Sequence, residues 1–319
     1  MKRLLILSIL IGCFSVSLHA ASPVKRWGQL QVNGTQLCAA DGQPVVLRGV
    51  SFGWHNLWPR FYNKKAVKTL ARDWHATVVR AAMGIMIHDN YLDNPQFALS
   101  CVEPVVKQAI KEGIYVIIDW HSHKLLRAEA KTFFGQMAQK YGKYPNVIYE
   151  IYNEPVNDSW DELKAYATEV IGEIRRHDPD NIVLVGCPHW DQDVHLVAES
   201  PLQGFTNVMY TVHFYAATHK QELRERMTQA VGRGIPVFVS ECAGMEASGN
   251  GPLDPDEWQR WVDCMEKHQI SWACWSLSDK DETCSMLLPR AGAEGPWTDD
   301  LLKPWGKMVR DVLQLKNRQ

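Results

Sequence analysis

The chain of 319 residues lacks several features that would point to a metal, a nucleotide, a nucleic acid or a membrane. Its eight cysteines include no C-x-x-C spacing, so a structural zinc site has little support. No Gly-rich phosphate loop is present, and beyond the N-terminal segment no apolar run approaches the ~18 residues of a membrane span. The formal net charge of −2 gives no reason to expect nucleic acid or an anionic membrane as partner, and it suits a neutral polymer better.

The N-terminal segment is typical of an export signal. Met1-Lys2-Arg3 precedes an apolar run that reaches Cys13, and small residues follow. This pattern predicts that residues 1–20 are a removed signal peptide and that the product is secreted or periplasmic. Leu10-Ile11-Gly12-Cys13 also resembles a lipoprotein box, which would tether the chain through Cys13 but would leave an unusually short signal. Removal of residues 1–20 leaves seven cysteines, whose pairing cannot be read from the sequence.

What the chain has in excess is tryptophan. There are 13 tryptophans in a chain that is 46% hydrophobic and 22% charged, which is ample for a large core. Indole faces stack on sugar rings while the N–H stays free to donate, so accessible tryptophans would suit a carbohydrate ligand. The alternative for any one of them is simple burial in the core of a large domain.

Buried-strand candidates alternate with helical segments through the rest of the chain, residues 21–319. The candidates are 45–50, 77–82, 114–119, 147–152, 182–186, 208–214, 235–240 and 270–276. Near-continuous hydrophobic strands separated by helices predict a parallel sheet, and eight such units predict one closed (β/α)8 TIM barrel. A doubly wound open sheet is the alternative, which the missing phosphate loop makes weaker. Residues 28–35, followed by Asp41-Gly42, predict a short N-terminal β-hairpin that closes the N-terminal end of the barrel.

Two of the predicted strands end in a glutamate. The run 147–155 delivers Asn153 and Glu154 before Pro155, which cannot donate to a sheet and disfavours helix before it. That strand is therefore predicted to stop at Asn153 or Glu154, and the run 235–241 ends likewise in Glu241. Because the carboxyl ends of the strands hold the active site of a TIM barrel, both carboxylates should share one site. Two such carboxylates are what glycosidic bond cleavage requires.

Other polar or aromatic residues fall at the remaining strand ends. They are Arg80, Asp119, His121, His213, Tyr215, Trp275 and Ser276. Each alone has a structural explanation, such as an ion-pair partner for Arg80 or a satisfied buried histidine for His121. Their coincidence at one rim is what predicts an active site.

The ordered set of motifs resembles glycoside hydrolase family 5, in its branch of bacterial and plant-parasitic nematode β-1,4-endoglucanases. The likeness runs from about Arg26 to the end of the last strand. Its motifs are Val79-Arg80-Ala81-Ala82, Asp119-Trp120-His121-Ser122-His123, Tyr152-Asn153-Glu154-Pro155, Trp190-Asp191-Gln192-Asp193-Val194, His213-Phe214-Tyr215, Ser240-Glu241 and Trp275-Ser276-Leu277-Ser278-Asp279-Lys280. The resemblance implies a monomeric cellulase that hydrolyses internal bonds of cellulose-type and mixed-linkage β-glucans, with no cofactor and no metal ion.

The resemblance also implies roles for individual residues, in a retaining double displacement with Glu154 as acid/base and Glu241 as nucleophile. Arg80 and the Tyr215 hydroxyl would stabilise the ionised form of Glu241, while burial and the charge of Glu241 would keep Glu154 protonated. The other implied site residues are Asn153 at the sugar 2-OH, His121 and His213 at the cleavage subsite, Trp275 under the ring being cleaved, Lys280 and Glu282 at the next sugar, and Trp190, Trp54 and His55 at neighbouring subsites.

The chain departs from the family pattern at two places near these residues. Cys242 follows Glu241 where the family carries an aromatic residue, which puts the local packing in doubt and places a thiol in the segment of the nucleophile. Gly53 stands where a sugar-binding histidine is found in bacillar relatives. How far the binding subsites extend on the non-reducing side is therefore not fixed by the sequence. Related barrels cleave mannan, glucomannan, lichenan, xyloglucan or xylan, and these substrates stay as alternatives.

Two rival interpretations belong to other classes. Asp119, His121 and His123 alternate along a strand as metal ligands can, but the other strand ends hold no further ligand set that a metal-dependent hydrolase would need. A non-catalytic glycan-binding barrel would keep its tryptophans and lose a carboxylate, whereas both Glu154 and Glu241 are present.

Overall fold

The structure, a computed structural model, describes residues 21–317. An antiparallel hairpin of β1 (Gln31–Asn33) and β2 (Gln36–Cys38) precedes eight parallel strands that close into a barrel. The barrel strands are β3 (Arg48–Phe52), β4 (Val78–Gly84), β5 (Tyr115–His121), β6 (Val147–Glu150), β7 (Val183–Val185), β8 (Val208–Tyr215), β9 (Val237–Ala243) and β10 (Trp272–Leu277). Closure comes from pairing of β10 with β3, so the predicted TIM barrel is confirmed. The predicted signal peptide and Cys13 lie outside the described residues.

Helices follow the strands and cover the outside of the barrel. They are α1 (Pro23–Trp27), α2 (Lys64–Arg72), α3 (Pro95–Glu112), α4 (Arg127–Tyr141), α5 (Trp160–Arg175), the single turns α6 (Pro188–Asp191) and α7 (Val194–Val197), α8 (Gln221–Gly232), α9 (Pro255–Lys267) and α10 (Pro304–Lys316). Side chains fix where several begin, as in α5, where Ser159 and Glu162 form a capping box. Within residues 21–317, none of these helices is long and apolar enough to cross a membrane.

The core has two layers, one on each side of the barrel wall. Inside the barrel, Tyr115, Ile117, Ile148 and Phe238 pack in one cluster with Leu37 of the hairpin. The hairpin therefore closes the N-terminal end of the barrel, as the sequence predicts. Outside, alternate strand residues pack against the helices, which is why strands buried on both faces read as nearly unbroken apolar runs.

The glutamate-bearing strand ends earlier than expected. β6 stops at Glu150, so Asn153 and Glu154 lie on the loop after it rather than on the strand itself. Three backbone N–H groups of this loop still donate to its neighbours, from Ile151 to Leu184 O and from Asn153 to Trp120 O, both at 3.1 Å, and from Glu154 to Ser122 O at 3.2 Å. The loop is thus held in extended form beside the barrel rim, and Glu154 keeps a fixed position.

Burial leads to a prediction about thiol reactivity. All seven cysteines of the described residues are free thiols, and only Cys264 among them is part-exposed. Burial raises the pKa of Cys101 to about 11 and also raises that of Cys264. We expect Ellman's reagent at pH 8 to modify at most one of these thiols promptly in the reduced native protein, and all of them after denaturation. The Cys264→Ser variant should lose the prompt reaction, and several fast thiols in that variant would contradict the buried placement.

Candidate active site

The polar side chains predicted at the strand ends meet at the carboxyl end of the barrel. β4 carries Arg80, β5 carries Asp119 and His121, β8 carries His213 and Tyr215, β9 carries Glu241, and β10 carries Trp275 and Ser276. Asn153 and Glu154 join them from the loop after β6. Because all the strands are parallel, closure of the barrel is what gathers residues up to about two hundred positions apart in sequence at one rim.

Glu241 is held by two hydrogen-bond donors. Nη1 of Arg80 lies 3.0 Å from Oε2, and the Tyr215 hydroxyl donates to Oε1 at 2.8 Å. Both contacts favour the ionised carboxylate, as the sequence analysis expected. Burial and the nearby charge of Glu154 act in the opposite direction, and the net effect is a raised pKa of the Glu241 carboxyl.

Arg80 is the cationic centre of the site and is fully buried. Its guanidinium contacts three carboxylates, with Glu150 at 2.6 Å, Asp119 at 3.0 Å and Glu241 at 3.0 Å. It also donates to the side-chain oxygen of Asn153 at 2.6 Å. Burial works against the charged form, but the three carboxylates outweigh it and raise the pKa of Arg80 well above its usual range. Arg80 therefore holds the nucleophile candidate and Asn153 in fixed relation.

Glu154 is surrounded by histidines rather than by an arginine. Nδ1 of His213 lies 3.0 Å from Oε1, and Nδ1 of His123 lies 3.5 Å from Oε2. Burial tends to raise the pKa of the Glu154 carboxyl, but the hydrogen bond and charge of His213 outweigh it, and the net shift is downward. Burial likewise opposes the charge on His213, yet the carboxylates around the ring raise its pKa well above 6.5.

These directions correct one expectation from the sequence. Glu154 was expected to hold its own proton, because Glu241 is near and the group is partly buried. With His213 within hydrogen-bond distance, the shared proton instead belongs to the His213 side of the pair. The sequence does not show this because the contact joins residues 59 positions apart.

The distance between the two glutamates is short. One carboxylate oxygen of Glu154, one of Glu241 and a ring nitrogen of His213 all lie within 4.8 Å of one another. These three atoms could also hold a metal ion by their chemistry, since imidazole and carboxylate are common zinc ligands. The alternation Asp119, His121, His123 makes no such group. Asp119 forms an ion pair with Arg80, and its Oδ2 lies 2.7 Å from Nδ1 of His121. His123 faces Glu154 instead.

Aromatic rings line the site beside the glutamates. Trp275 stacks on His121 with the ring centroids 5.2 Å apart and the planes 8° from parallel. Trp54 meets the same imidazole edge-on at 4.7 Å. Trp190 lies on the loop after β7 and is 40% exposed, which leaves its indole free to contact a ligand.

The remaining predicted binding residues divide into two groups. Lys280 and Glu282 form an ion pair with each other on the exposed loop after β10. His55 is fully buried, and its Nδ1 accepts from the Gly84 N–H at 2.9 Å. Burial lowers its pKa to about 4, so the ring is neutral. The ring lies beside Tyr62 and Phe97, and the predicted contact of His55 with substrate stays a prediction.

Cys242 is also buried, and its thiol lies in the barrel wall. Its Sγ is 3.9 Å from that of Cys274 on the neighbouring strand and 3.4 Å from Ala273 O. Cys242 belongs to the same hydrophobic cluster as Trp258 and Trp261 of α9. Within residues 21–317 the hydrogen-bond partners of this thiol are Ala273 and Cys274, whereas those of the Glu241 carboxylate are Arg80 and Tyr215.

Sequence reasoning missed four residues that contact the proposed machinery, Glu150, Ser240, His123 and Asp191. Glu150 binds Arg80, Ser240 Oγ lies 2.8 Å from Nε2 of His213, and Asp191 lies 3.3 Å from the same nitrogen. Glu150 had a usable signal, because a lone carboxylate inside an apolar strand needs a buried cation. Ser240 lies on β9, whereas His123 and Asp191 depend on the conformation of the segments after β5 and β7. All three stand in the quoted motifs, but nothing in those motifs indicates these contacts.

Comparison with known proteins decides the family. The model of the family described as cellulase (glycosyl hydrolase family 5) matches residues 38–281. The chain belongs to glycosyl hydrolase family 5. An endoglucanase of Clostridium saccharobutylicum is 42% identical over 89% of this chain and 64% of its own length, and endoglucanase 5 of Pectobacterium carotovorum is 41% identical over 94% and 60%. The chain thus spans less than two thirds of the length of these relatives.

Solved family 5 structures superpose on nearly the whole described chain. The catalytic domain of a Thermobifida fusca endoglucanase aligns with a TM-score of 0.89 and 36% identity, covering 92% of this chain and all of that one. A structure from Cytophaga hutchinsonii aligns with a TM-score of 0.91 and 46% identity, covering 93% and 98%. The likeness therefore extends over the barrel and its loops.

Proposed function

We propose that this family 5 protein is a retaining endo-β-1,4-glucanase. The observation that carries the proposal is the placement of Glu154 and Glu241, whose carboxylate oxygens approach within 4.8 Å across the barrel rim. Retaining glycosidases hold their two carboxyl groups about 5–5.5 Å apart, whereas inverting enzymes need roughly 6.5–9.5 Å to admit a water. The short distance between these oxygens favours the retaining arrangement. The endoglucanase names of the relatives support the activity.

In the first chemical step, Glu241 attacks the anomeric carbon and the glycosidic C–O bond breaks. Arg80 and Tyr215 keep the attacking carboxylate ionised and aimed, and Arg80 also fixes Asn153, whose free amide would face the sugar 2-OH. The departing oxygen takes its proton from Glu154, which first receives that proton from the Nδ1–H of His213 across 3.0 Å. The products are a glycosyl ester on Glu241 and a shortened glucan.

In the second step, water attacks the same carbon and releases Glu241. The neutralised nucleophile no longer repels charge on Glu154, so the Glu154–His213 pair can accept the proton that the water loses. Two inversions at one carbon leave the β configuration unchanged. The site thereby returns to its starting protonation with no cofactor consumed.

The substrate class we propose is cellulose-type β-1,4-glucan, with mixed-linkage β-glucan as a second substrate. Trp275 and Trp54 lie against His121 and Trp190 is exposed, and indole faces of this kind suit a flat, uncharged polymer. Lys280 and Glu282 supply polar contacts on the loop after β10. A polymeric substrate outside the cell also agrees with the predicted signal in residues 1–20.

The test is hydrolysis of carboxymethylcellulose, barley β-glucan, β-mannan and xyloglucan by the protein without residues 1–20, with products resolved by size. We expect rapid viscosity loss on the two glucans, and proton NMR of the first product should show the β-anomer before mutarotation. Cleavage confined to mannan or xyloglucan would show that the proposed substrate class is wrong. An initial α-anomer would overturn the retaining mechanism, and binding without any cleavage would favour a glycan-binding barrel.

A further inference from the structure

A buried carboxylate lies behind His213, on the side away from Glu154. Oδ2 of Asp191 is 3.3 Å from Nε2 of His213, whereas Nδ1 of the same ring faces Glu154 at 3.0 Å. Asp191 is fully buried, and Oδ1 accepts from the Cys187 N–H at 2.5 Å. Among the described residues no donor hydrogen-bonds to Oδ2. A buried carboxylate oxygen without a donor is costly unless a positive charge lies beside it.

The backbone is bent so that this carboxylate reaches the ring. His189, Trp190 and Asp191 have φ values of 59°, 52° and 59°, so three consecutive residues other than glycine lie in the left-handed region. Such strain persists only where the surroundings enforce it, and it concentrates at functional sites. The Trp190 N–H donates to Pro155 O at 2.8 Å, which fastens the turn to the residue that follows Glu154. The turn directs Trp190 outwards and Asp191 inwards.

We propose that Asp191 is a positioning residue that holds His213 as a charged imidazolium against Glu154 and so sets the upper pH limit of the acid/base pair. Asp191 touches no substrate in this arrangement, because His213 separates it from Glu154. The inference rests on the proposed function, since it assigns to His213 and Glu154 the proton that the glycosidase reaction consumes.

Several other groups face His213, and their charges are largely compensated. Glu150 lies 3.6 Å from Nε2, and Glu241, Glu154 and Asp119 act on the ring from the strands beside it. Arg80 binds Glu150, Glu241 and Asp119 at once. His121 faces the ring as a second titratable imidazole, and Ser240 is neutral. Asp191 has no arginine or lysine at ion-pair distance within residues 21–317, so His213 is the cation that faces it there. Burial raises the pKa of the Asp191 carboxyl well above its usual range, and the charge of His213 opposes that rise and favours the ionised carboxylate.

The sign of the effect follows from this placement. A negative charge beside His213 increases the proton affinity of the His213–Glu154 pair as a whole. The pair then keeps its proton to a higher pH, and the basic limb of the kcat/KM profile reports its loss. In the Asp191→Asn variant that charge is gone while the shape is kept. We expect the basic limb to move about 1–3 pH units towards acid, with the acidic limb much less affected.

The matched control is Asp193→Asn, the same substitution two residues further along. Asp193 is part-exposed and pairs with Arg226 at 2.9 Å, at the surface. This variant should keep the wild-type basic limb. An unmoved limb in Asp191→Asn, or an equal shift in both variants, would overturn the proposal, because a merely structural carboxylate lowers activity at all pH values alike.

A second measurement needs no turnover and no folded Asp191 variant. In wild-type protein labelled with ¹⁵N-histidine, the ring nitrogens of His213, assigned by their absence in His213→Asn, should have imidazolium shifts at pH 7. Neutral-ring shifts at that pH would overturn the proposal. If the wild type failed to hydrolyse every glycan offered, the proposed function would be wrong, yet these shifts would still show whether His213 is charged, as the proposal requires.

Discussion

The Glu241→Ala variant is expected to lose about 10⁴–10⁶-fold in kcat on cello-oligosaccharides while it keeps its affinity for them. The loss is this large because no other carboxylate can reach the anomeric carbon from the same side, and the covalent intermediate cannot form. Affinity should persist because Trp275, Trp54 and Trp190 are untouched. Initial rates on cellopentaose and calorimetric binding of the same sugar measure the two quantities separately.

Glu246→Ala is the control for this variant, since Glu246 is an exposed glutamate five residues further along the same segment. It should behave as wild type. Added azide should partly restore cleavage in Glu241→Ala and yield the α-glycosyl azide, because the small anion occupies the space of the lost carboxylate and inverts the centre once. Undiminished hydrolysis by Glu241→Ala, or a β-glycosyl azide from it, would show that Glu241 is not the nucleophile.

The barrel could be predicted from the sequence because its strands are buried on both faces. Each appears as a short apolar run, and every one of the eight runs overlaps an observed strand. The predicted ends of the strands are less accurate. β3 begins at Arg48 rather than at residue 45, and β6 stops at Glu150 rather than at residue 152. Strand limits depend on hydrogen bonds to neighbouring strands, and these are set by the closed barrel rather than by local composition.

The site could be predicted where its residues sit directly at strand ends. Arg80, Glu241 and Tyr215 are fixed by strands, and the contacts expected between them are present. The burial of His55, whose Nδ1 accepts from the Gly84 N–H, could not be predicted, because the residue lies on a loop rather than on a strand. The contact of Asp191 with His213 could not be predicted either, because a left-handed turn brings the carboxylate to the ring.

Protonation was the least accessible part of the site. The sequence analysis assigned Glu241 and Glu154 opposite protonation states, with Arg80 at Glu241. The structure shows that His213 and His123 also act on Glu154, and that Glu154 acts on Glu241. With several groups interacting, a proton belongs to the cluster rather than to one residue. The roles of Glu154 and Glu241 can therefore be assigned from their positions in the sequence. Which group holds the proton at rest depends on the distances between the groups, and these require the structure.

The largest effect on stability is expected from Arg80→Met. Methionine fills a similar volume, but it leaves Asp119, Glu150 and Glu241 buried without their common cation. Breaking a buried ion pair by removing one partner costs about 3–5 kcal/mol, and three carboxylates lose their partner here. We expect thermal unfolding at pH 7 to fall by at least about 6 °C, measured by circular dichroism. Arg127→Met, which removes a surface pair with Glu169, should cost less than about 1 kcal/mol.

The pH dependence of this loss distinguishes charge from packing. In the wild type, Arg80 overcomes burial and lowers the pKa of Glu150 to about 2, below its unfolded value. That contribution is present above the unfolded pKa of about 4.3 and is lost only as the pH falls towards 2. In the wild type the pKa values of Asp119 and Glu241 are already raised by burial, although Arg80 opposes the rise. In Arg80→Met all three carboxyls should have higher pKa values than in the wild type, so the folded state binds more protons than the unfolded chain and stability falls as pH rises. The deficit relative to wild type should therefore grow between pH 5 and pH 8, whereas a deficit independent of pH would mean that the arginine acts through its volume.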